Sequence, residues 1–332
     1  MSNSYAILAK ETTYNTVPTT GWRGLEINAD GLKTSRELLT HKGLSAARGA
    51  QRSTGRRFVK QKGAGQIAIP GFSNGLGTLF RTAASTATSA VHSGGTLAYD
   101  QTFTWTEVGP PAGRSVTAEV RRDQYDGDFD AYTYAGGRCT SLGIAQDISG
   151  LLQFTFDMDF QSAVIQNSVP SRTVVDVDPD LIYAWEDARI TLGPVGGTQT
   201  AECVQSFNLT LPTGINTESY CLNRGTSRHE PLRQTPPDPT GSISWEYQHA
   251  DLYKAFVAGT QYQLVADWEG DTAIESTTKP SLTITLACIE FSGEDPVASP
   301  DAVTMQNVPF TVLDNGTDPV AEIVFVTSDA DF

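Results

Sequence analysis

Polar and apolar residues alternate with a period of two along much of this chain. In residues 153–160 the alternation is strict and places Phe154, Phe156, Met158 and Phe160 on one face. Such a pattern is typical of a β-strand with one buried and one exposed face. Alternating or β-branched runs predict further strands at residues 101–106, 115–120, 204–211, 242–247, 261–268, 281–289 and 322–327.

Helical patterns are confined to two short stretches, residues 74–84 and 250–258. Each of them follows the same series of elements: a strand, a long polar loop and a second strand. Because the series occurs once in each half, we predict a tandem duplication of one β unit. The first domain would cover residues 1–168 and the second residues 169–332, with the boundary in a segment rich in proline and aspartate.

The predicted fold is therefore mainly β, with two tandem β-sandwich or small-barrel domains. Each domain would contain one short α-helix and one long loop, which covers residues 33–62 in the first domain and 213–239 in the second. A β domain with unpaired strand edges pairs with other chains unless those edges are covered. Cyclic self-association would cover them, and cyclic symmetry is common among homo-oligomers.

Charge is distributed unevenly over the 332 residues, whose net charge is −15. Residues 33–62, here called the basic arm, contain nine Lys or Arg and one acid, whereas residues 280–332 contain nine acids and no Lys or Arg. The arm has a single aromatic residue, Phe58, although proteins bind single-stranded nucleic acid largely by stacking bases on aromatic side chains. The arm therefore favours docking on an acidic surface of another copy, with direct binding of nucleic acid as the alternative.

The chemical motifs of the chain point away from catalysis. Residues 71–75, Gly-Phe-Ser-Asn-Gly, match the turn that presents a hydrolase nucleophile, here Ser73. That turn belongs to a fold with many alternating strands and helices, whereas only two helices are predicted here. Asp-Gly at 126–127 favours a hairpin turn, since this pair is preferred in two-residue hairpin loops. A calcium loop is disfavoured there, because its later glycine and glutamate are missing. The four cysteines include no Cys-x-x-Cys pair, so we predict no metal site and no cofactor. No apolar run reaches about 18 residues, so we predict no transmembrane helix.

A series of short segments along the chain carries a family resemblance. Near the start these are Ala-Lys-Glu-Thr-Thr-Tyr at residues 9–14 and Tyr-Thr-Tyr-Ala-Gly-Gly-Arg-Cys-Thr-Ser at 132–141. The second half adds residues 204–211, 220–224, 230–232, 308–313 and 326–329. Taken in order, these segments resemble the tail tube (major tail) proteins of long-tailed, siphovirus-type bacteriophages.

The resemblance implies a structural subunit without catalytic activity. Subunits of that family form rings whose inner strands join into a β-barrel, and the rings stack into a tube around a tape-measure protein. Double-stranded DNA later passes down the lumen, and tail terminator and tail-tip proteins are further partners. Single-domain subunits form a ring from six copies, and two domains in one chain would allow the same ring from three. A trimeric pseudo-hexamer and a hexamer therefore both stay open. The protein would lie in the virion tail after assembly in the bacterial host cytoplasm, without membrane association.

On this interpretation the basic arm and its counterpart, residues 213–239, reach into the next ring. The residues predicted for this inter-ring contact are Lys42, Arg48, Arg52, Arg56, Arg57, Lys60, Lys62, Arg224, Arg228 and Arg233. The alternatives among structural proteins are a tail terminator, a head-completion protein and a capsid-decoration protein, which would form a single ring or none. A serine hydrolase that uses Ser73 is the alternative from another class.

Overall fold

A computed structural model of the chain describes residues 5–41, 55–106, 108–125, 128–166, 170–175, 181–222, 228–247, 251–292 and 304–332. These residues form 22 β-strands, two short α-helices and one 3-10 turn, Trp185–Asp187. The prediction of a mainly-β fold is confirmed, and both helices lie where the sequence predicted them.

The elements divide into two series along the chain. The first series is β1 Tyr5–Lys10, β2 Trp22–Leu25, β3 Ala29–Asp30, β4 Lys33–Thr40, β5 Arg56–Pro70, α1 Gly77–Ala83, β6 Thr86–Val91, β7 Tyr99–Trp105, β8 Val116–Asp123, β9 Phe129–Asp147, β10 Gln153–Phe160, β11 Ser162–Gln166 and β12 Val174–Val175. The second is β13 Ala188–Pro194, β14 Thr200–Glu202, β15 Val204–Pro212, β16 Ile215–Asn216, β17 Leu232–Arg233, β18 Thr240–Glu246, α2 Asp251–Ala258, β19 Tyr262–Glu269, β20 Ser281–Phe291, β21 Met305–Val312 and β22 Ala321–Thr327.

The strand order of the first series is repeated in the second. In the first, antiparallel pairing gives the order β2-β1-β8-β9-β10-β5, and β5 also pairs with β3 and β4. In the second, the order is β14-β13-β19-β20-β21-β18-β15. β11 and β22 also hold matching places, because each pairs with the first part of the long strand, β9 or β20. The helices match as well, since α1 follows β5 and α2 follows β18.

The register of pairing matches as closely as the order. The β8–β9 pair is irregular between Val116 and Ala118, and the β19–β20 pair is irregular at the corresponding point, between Tyr262 and Leu264. An irregularity of this kind shifts the pairing of every residue beyond it, so its repetition supports a common unit. The division into two domains at residue 168 stays a prediction.

Strands of the two halves also pair directly with each other. β15 pairs with the second part of β9, from Ser206 opposite Asp147 to Pro212 opposite Ser141. The hairpin β6–β7, inserted between α1 and β8, pairs through β7 with β22. One hydrophobic cluster accordingly extends through both halves.

Phe80 of α1 lies within that cluster. Its ring is fully buried and lies 4.9–5.5 Å, centroid to centroid, from the rings of Phe103, Phe154, Phe156 and Phe325. Three of these rings belong to the first half and Phe325 belongs to the second. The helix has only seven residues and no side-chain cap at its start, so burial of its apolar face accounts for its stability.

Candidate self-assembly interface

The base of the basic arm is a hairpin at the edge of the sheet. β4 pairs with β5 only, so the other edge of β4 carries no strand within the described residues. Seven of its eight residues are exposed, including Leu38 (49%) and Leu39 (60%). An exposed strand edge with apolar side chains offers pairing positions to another chain.

The ten residues predicted for a contact with the next ring fall into three groups. Four of them lie outside the described residues: Lys42, Arg48, Arg52 and Arg224. Three are exposed: Arg56, Arg57 and Arg233. The other three form ion pairs within the chain: Lys60, Lys62 and Arg228.

Lys60 and Lys62 bind the loop of the second half. Their ammonium groups lie 2.9 and 3.4 Å from the two carboxylate oxygens of Glu218. The Lys60 ammonium also lies 4.6 Å from the ring centroid of Tyr220. The hydrogen bond from Lys60 lowers the pKa of Glu218, with attraction to both lysines acting in the same direction. The base of the arm is therefore attached to the counterpart loop of its own chain.

Arg228 is buried within the chain. Its guanidinium forms an ion pair with Asp159 of β10 and donates a hydrogen bond of 2.8 Å to the Thr217 carbonyl. The Gln161 amide donates to the Arg228 carbonyl at 2.6 Å. Burial raises the pKa of Asp159, while Arg228 acts to lower it. Arg228 therefore holds its loop to the first half, and its contact with the next ring stays a prediction.

Arg138 of β9 forms the second buried attachment. Its side chain is fully buried and donates to Glu230 at 3.0 Å and to the carbonyls of Pro110 and Pro111 at 3.1 and 3.0 Å. The backbone N–H of Gly113 donates to the same oxygen of Glu230 at 2.8 Å. Together with the β9–β15 pairing, these contacts of residues 213–239 with the first half form what is here called the internal joint.

The sequence contained little that could have identified this joint. Arg138 is the one charged residue between Asp130 and Asp147 of β9, and its partner Glu230 is 92 residues away. An arginine that interrupts a run of small and apolar residues signals a buried ion pair, because a buried charge needs a partner. The identity of that partner depends on the pairing of β9 with β15, which strand patterns alone do not specify.

Replacing Arg228 with alanine is expected to lower the free energy of unfolding by about 3–5 kcal/mol. The change removes the buried cation beside Asp159, which keeps only a longer ion pair of 3.8 Å to Lys62, and the loop loses the hydrogen bond to Thr217. Chemical denaturation of both proteins measures the effect. Arg233→Ala, in the same loop but exposed, is the control and should change stability by less than about 0.5 kcal/mol. Equal effects of the two substitutions would contradict the assigned role of Arg228.

Within the described residues, the other chemical candidates of the sequence show no arrangement typical of a catalytic or metal site. Ser73 is buried, and its hydroxyl has no hydrogen-bond partner in the described part of the chain. His92 is one of the histidines that follow Ser73 in the sequence, and its Nδ1 atom lies 2.7 Å from a carboxylate oxygen of Asp100. No group of three or more His, Cys, Asp or Glu suited to a metal ion occurs among the described residues. None of the helices in that part is long and apolar enough to cross a membrane.

The described strands thus form two series with the same order of pairing, joined by the β9–β15 pairing and by a docked loop. The family comparison assigns the class of protein. The chain belongs to the phage tail tube protein family, whose model matches residues 1–312. A search of curated proteins finds no matching relative.

Proposed function

We propose that this protein is the building block of the tail tube of a long-tailed, siphovirus-type phage. Three copies form a ring of six β units, and the rings stack into a hollow tube around a tape-measure protein. The observation that carries the proposal is the internal joint, because it is one complete contact between two neighbouring units.

The internal joint provides a pattern for the contact between copies. Within the joint, β15 lies between β18 of its own half and β9 of the other half. By the repeated strand order, β3 and the start of β4 hold the place of β15 in the first half. Their outer edge carries no strand among the described residues, so the second half of another copy can pair there as the first half pairs with β15. Two alternating contacts give a closed ring when the rotation from unit to unit completes a full turn.

Six units in a ring require three chains if each chain supplies two. The proposal therefore includes a division into domains near residue 168 that arose by duplication, as the sequence predicts. The matching irregularities in β8–β9 and β19–β20 support that division.

The net charge of −15 suits a tube through which DNA moves. A wall of negative charge repels phosphate groups, so the DNA passes without binding tightly. A tail terminator and tail-tip proteins would complete the two ends of the tube. Assembly would take place in the cytoplasm of the bacterial host, and the finished protein would lie in the virion tail. No enzymatic activity or membrane contact forms part of this proposal.

Electron microscopy of the assembled protein tests the proposal. We expect stacked rings with threefold symmetry, in which each ring shows six similar lobes. Isolated rings that do not stack would favour a tail terminator or a head-completion protein. A protein that stays monomeric under all assembly conditions would favour a capsid-decoration protein. Rings of six complete chains would contradict a ring of six units supplied by three chains.

A further inference from the structure

Arg138 and Glu290 occupy the same position in the two repeated units. Arg138 of β9 lies opposite Asp159 of β10, one residue beyond the pair Cys139–Met158. Glu290 of β20 lies opposite Thr311 of β21, one residue beyond the pair Phe291–Phe310. β10 and β21 correspond because β5 and β18 pair with them in the same register, counted from Gly65 and Gly241. The repeat thus places a cation in one unit where the other has an acid.

The surroundings of these two side chains differ in a way that suggests a missing partner. Arg138 is fully buried between Glu230 of the neighbouring unit and the carbonyls of Pro110 and Pro111 of its own half. Glu290 is exposed, and so is Ser292 just beyond the end of β20. In the part of the chain that the structure describes, no ion pair involves Glu290. The position that is covered in the first unit is therefore open in the second.

Residues 213–239 and the basic arm, the segments that would cover these two positions, also differ in net charge. Residues 213–239 contain three arginines and three acids, so they are neutral and can supply Glu230 to a cation. The basic arm, which connects the equivalent strands in the first unit, has nine cations and one acid. The cationic arm therefore complements the acid Glu290, while the neutral segment supplies a single acid, Glu230, to the cation Arg138.

We propose that Glu290 and the end of β20 form the docking site for the basic arm of a second copy within the same ring. The proposal rests on the ring described above and adds the partner surfaces of its second contact. The arm would cover Glu290 as residues 213–239 cover Arg138, with the charges reversed. This lateral position differs from the contact with the next ring that the sequence suggested.

Reversed charges would keep the units in alternating order. If the arm docked on a first unit, its cations would face Arg138. If residues 213–239 docked on a second unit, Glu230 would face Glu290. Both wrong pairings place like charges together in a covered contact, which is strongly unfavourable. The charge pattern thus selects rings in which first and second units alternate.

Photo-crosslinking identifies the segment that covers this site. A benzoylphenylalanine placed at Ser292 leaves Glu290 intact, and tubes are assembled from a mixture of this protein and an isotope-labelled wild-type copy. After irradiation, mass spectrometry is expected to find crosslinks from position 292 to peptides of residues 33–62 that carry the label. Crosslinks in intact tubes to other segments only would overturn the proposal but leave the tube function standing.

Charge reversal tests the same contact without a bulky probe. Glu290→Arg is expected to raise the protein concentration needed for assembly by at least about tenfold, because it places a cation against the basic arm. Glu290→Gln should have a smaller effect. Asp271→Arg makes the same change at an exposed position near the other end of β20 and should assemble as the wild type does. Normal assembly of Glu290→Arg would overturn the docking site, whereas failure of the wild type to form tubes would overturn the proposed function itself.

Discussion

Replacing Arg56 and Arg57 with glutamate is expected to abolish tube formation while leaving the subunit folded. Both side chains are exposed at the start of β5, beyond the part of that strand that pairs with β10. Surface substitutions of this kind usually change the free energy of unfolding by less than about 0.5 kcal/mol each. Docking on an acidic surface, in contrast, would change from attraction to repulsion at two positions. Circular dichroism measures the fold, and electron microscopy with sedimentation measures assembly.

A control variant separates this effect from the change in net charge. Arg189→Glu combined with Lys254→Glu alters the net charge equally at exposed positions of the second half, and should assemble normally. The particles that the variant with Arg56→Glu and Arg57→Glu still forms also show where the arm makes its contact. Single rings would place the arm between stacked rings, as predicted from the sequence, whereas monomers would place it within the ring. Normal tubes would contradict both positions.

Replacing Phe80 with alanine is expected to lower the free energy of unfolding by about 3–5 kcal/mol. The ring is fully buried against four other aromatic rings, so its removal leaves a cavity that this packed core cannot fill. Phe325 of the second half is one of those neighbours, and the hydrophobic cluster extends through both halves. We therefore expect both halves to lose stability together, in one shifted transition.

Calorimetry and denaturation with tryptophan fluorescence follow the two halves at once, because Trp105 and Trp268 are buried in different halves. Phe58→Ala is the matched control, because this ring lies in the arm and is only half-buried. Its centroid is 5.6 Å from the guanidinium carbon of Arg36. It should cost much less stability than Phe80→Ala. Two separate transitions, of which Phe80→Ala shifts only one, would show that the halves fold independently in spite of their shared cluster.

Local patterns predicted much of the fold because they depend on neighbouring residues. Residues 153–160 alternate strictly, and β10 has these bounds, with Phe154, Phe156, Met158 and Phe160 buried. The two helices and the repeated series of elements were also predicted from residues close together in the chain. Pairing between distant strands was beyond such reasoning, because the alternation of β15 fits any neighbour of suitable polarity.

For the candidate interface, too, one part could be predicted from the local sequence and another part depended on the fold. The excess of cations in residues 33–62 is a property of composition, and it indicated self-docking before any contact was known. The roles of individual residues depended on the fold. Arg228 is an unremarkable loop arginine in the sequence, yet it is buried against Asp159, 69 residues away. Lys60 and Lys62 likewise bind Glu218, which no local pattern associates with them.

The sequence by itself determined that this protein is mainly β, that its elements occur in two similar series, and that one arm is strongly basic. These properties follow from period-two alternation and from residue counts, both of which act locally. The tertiary structure alone decided that β15 joins β9, that residues 213–239 cover Arg138, and that Glu290 stays exposed at the equivalent position. Such relations arise only when distant strands are brought into register, because burial and charge pairing are properties of the assembled sheet.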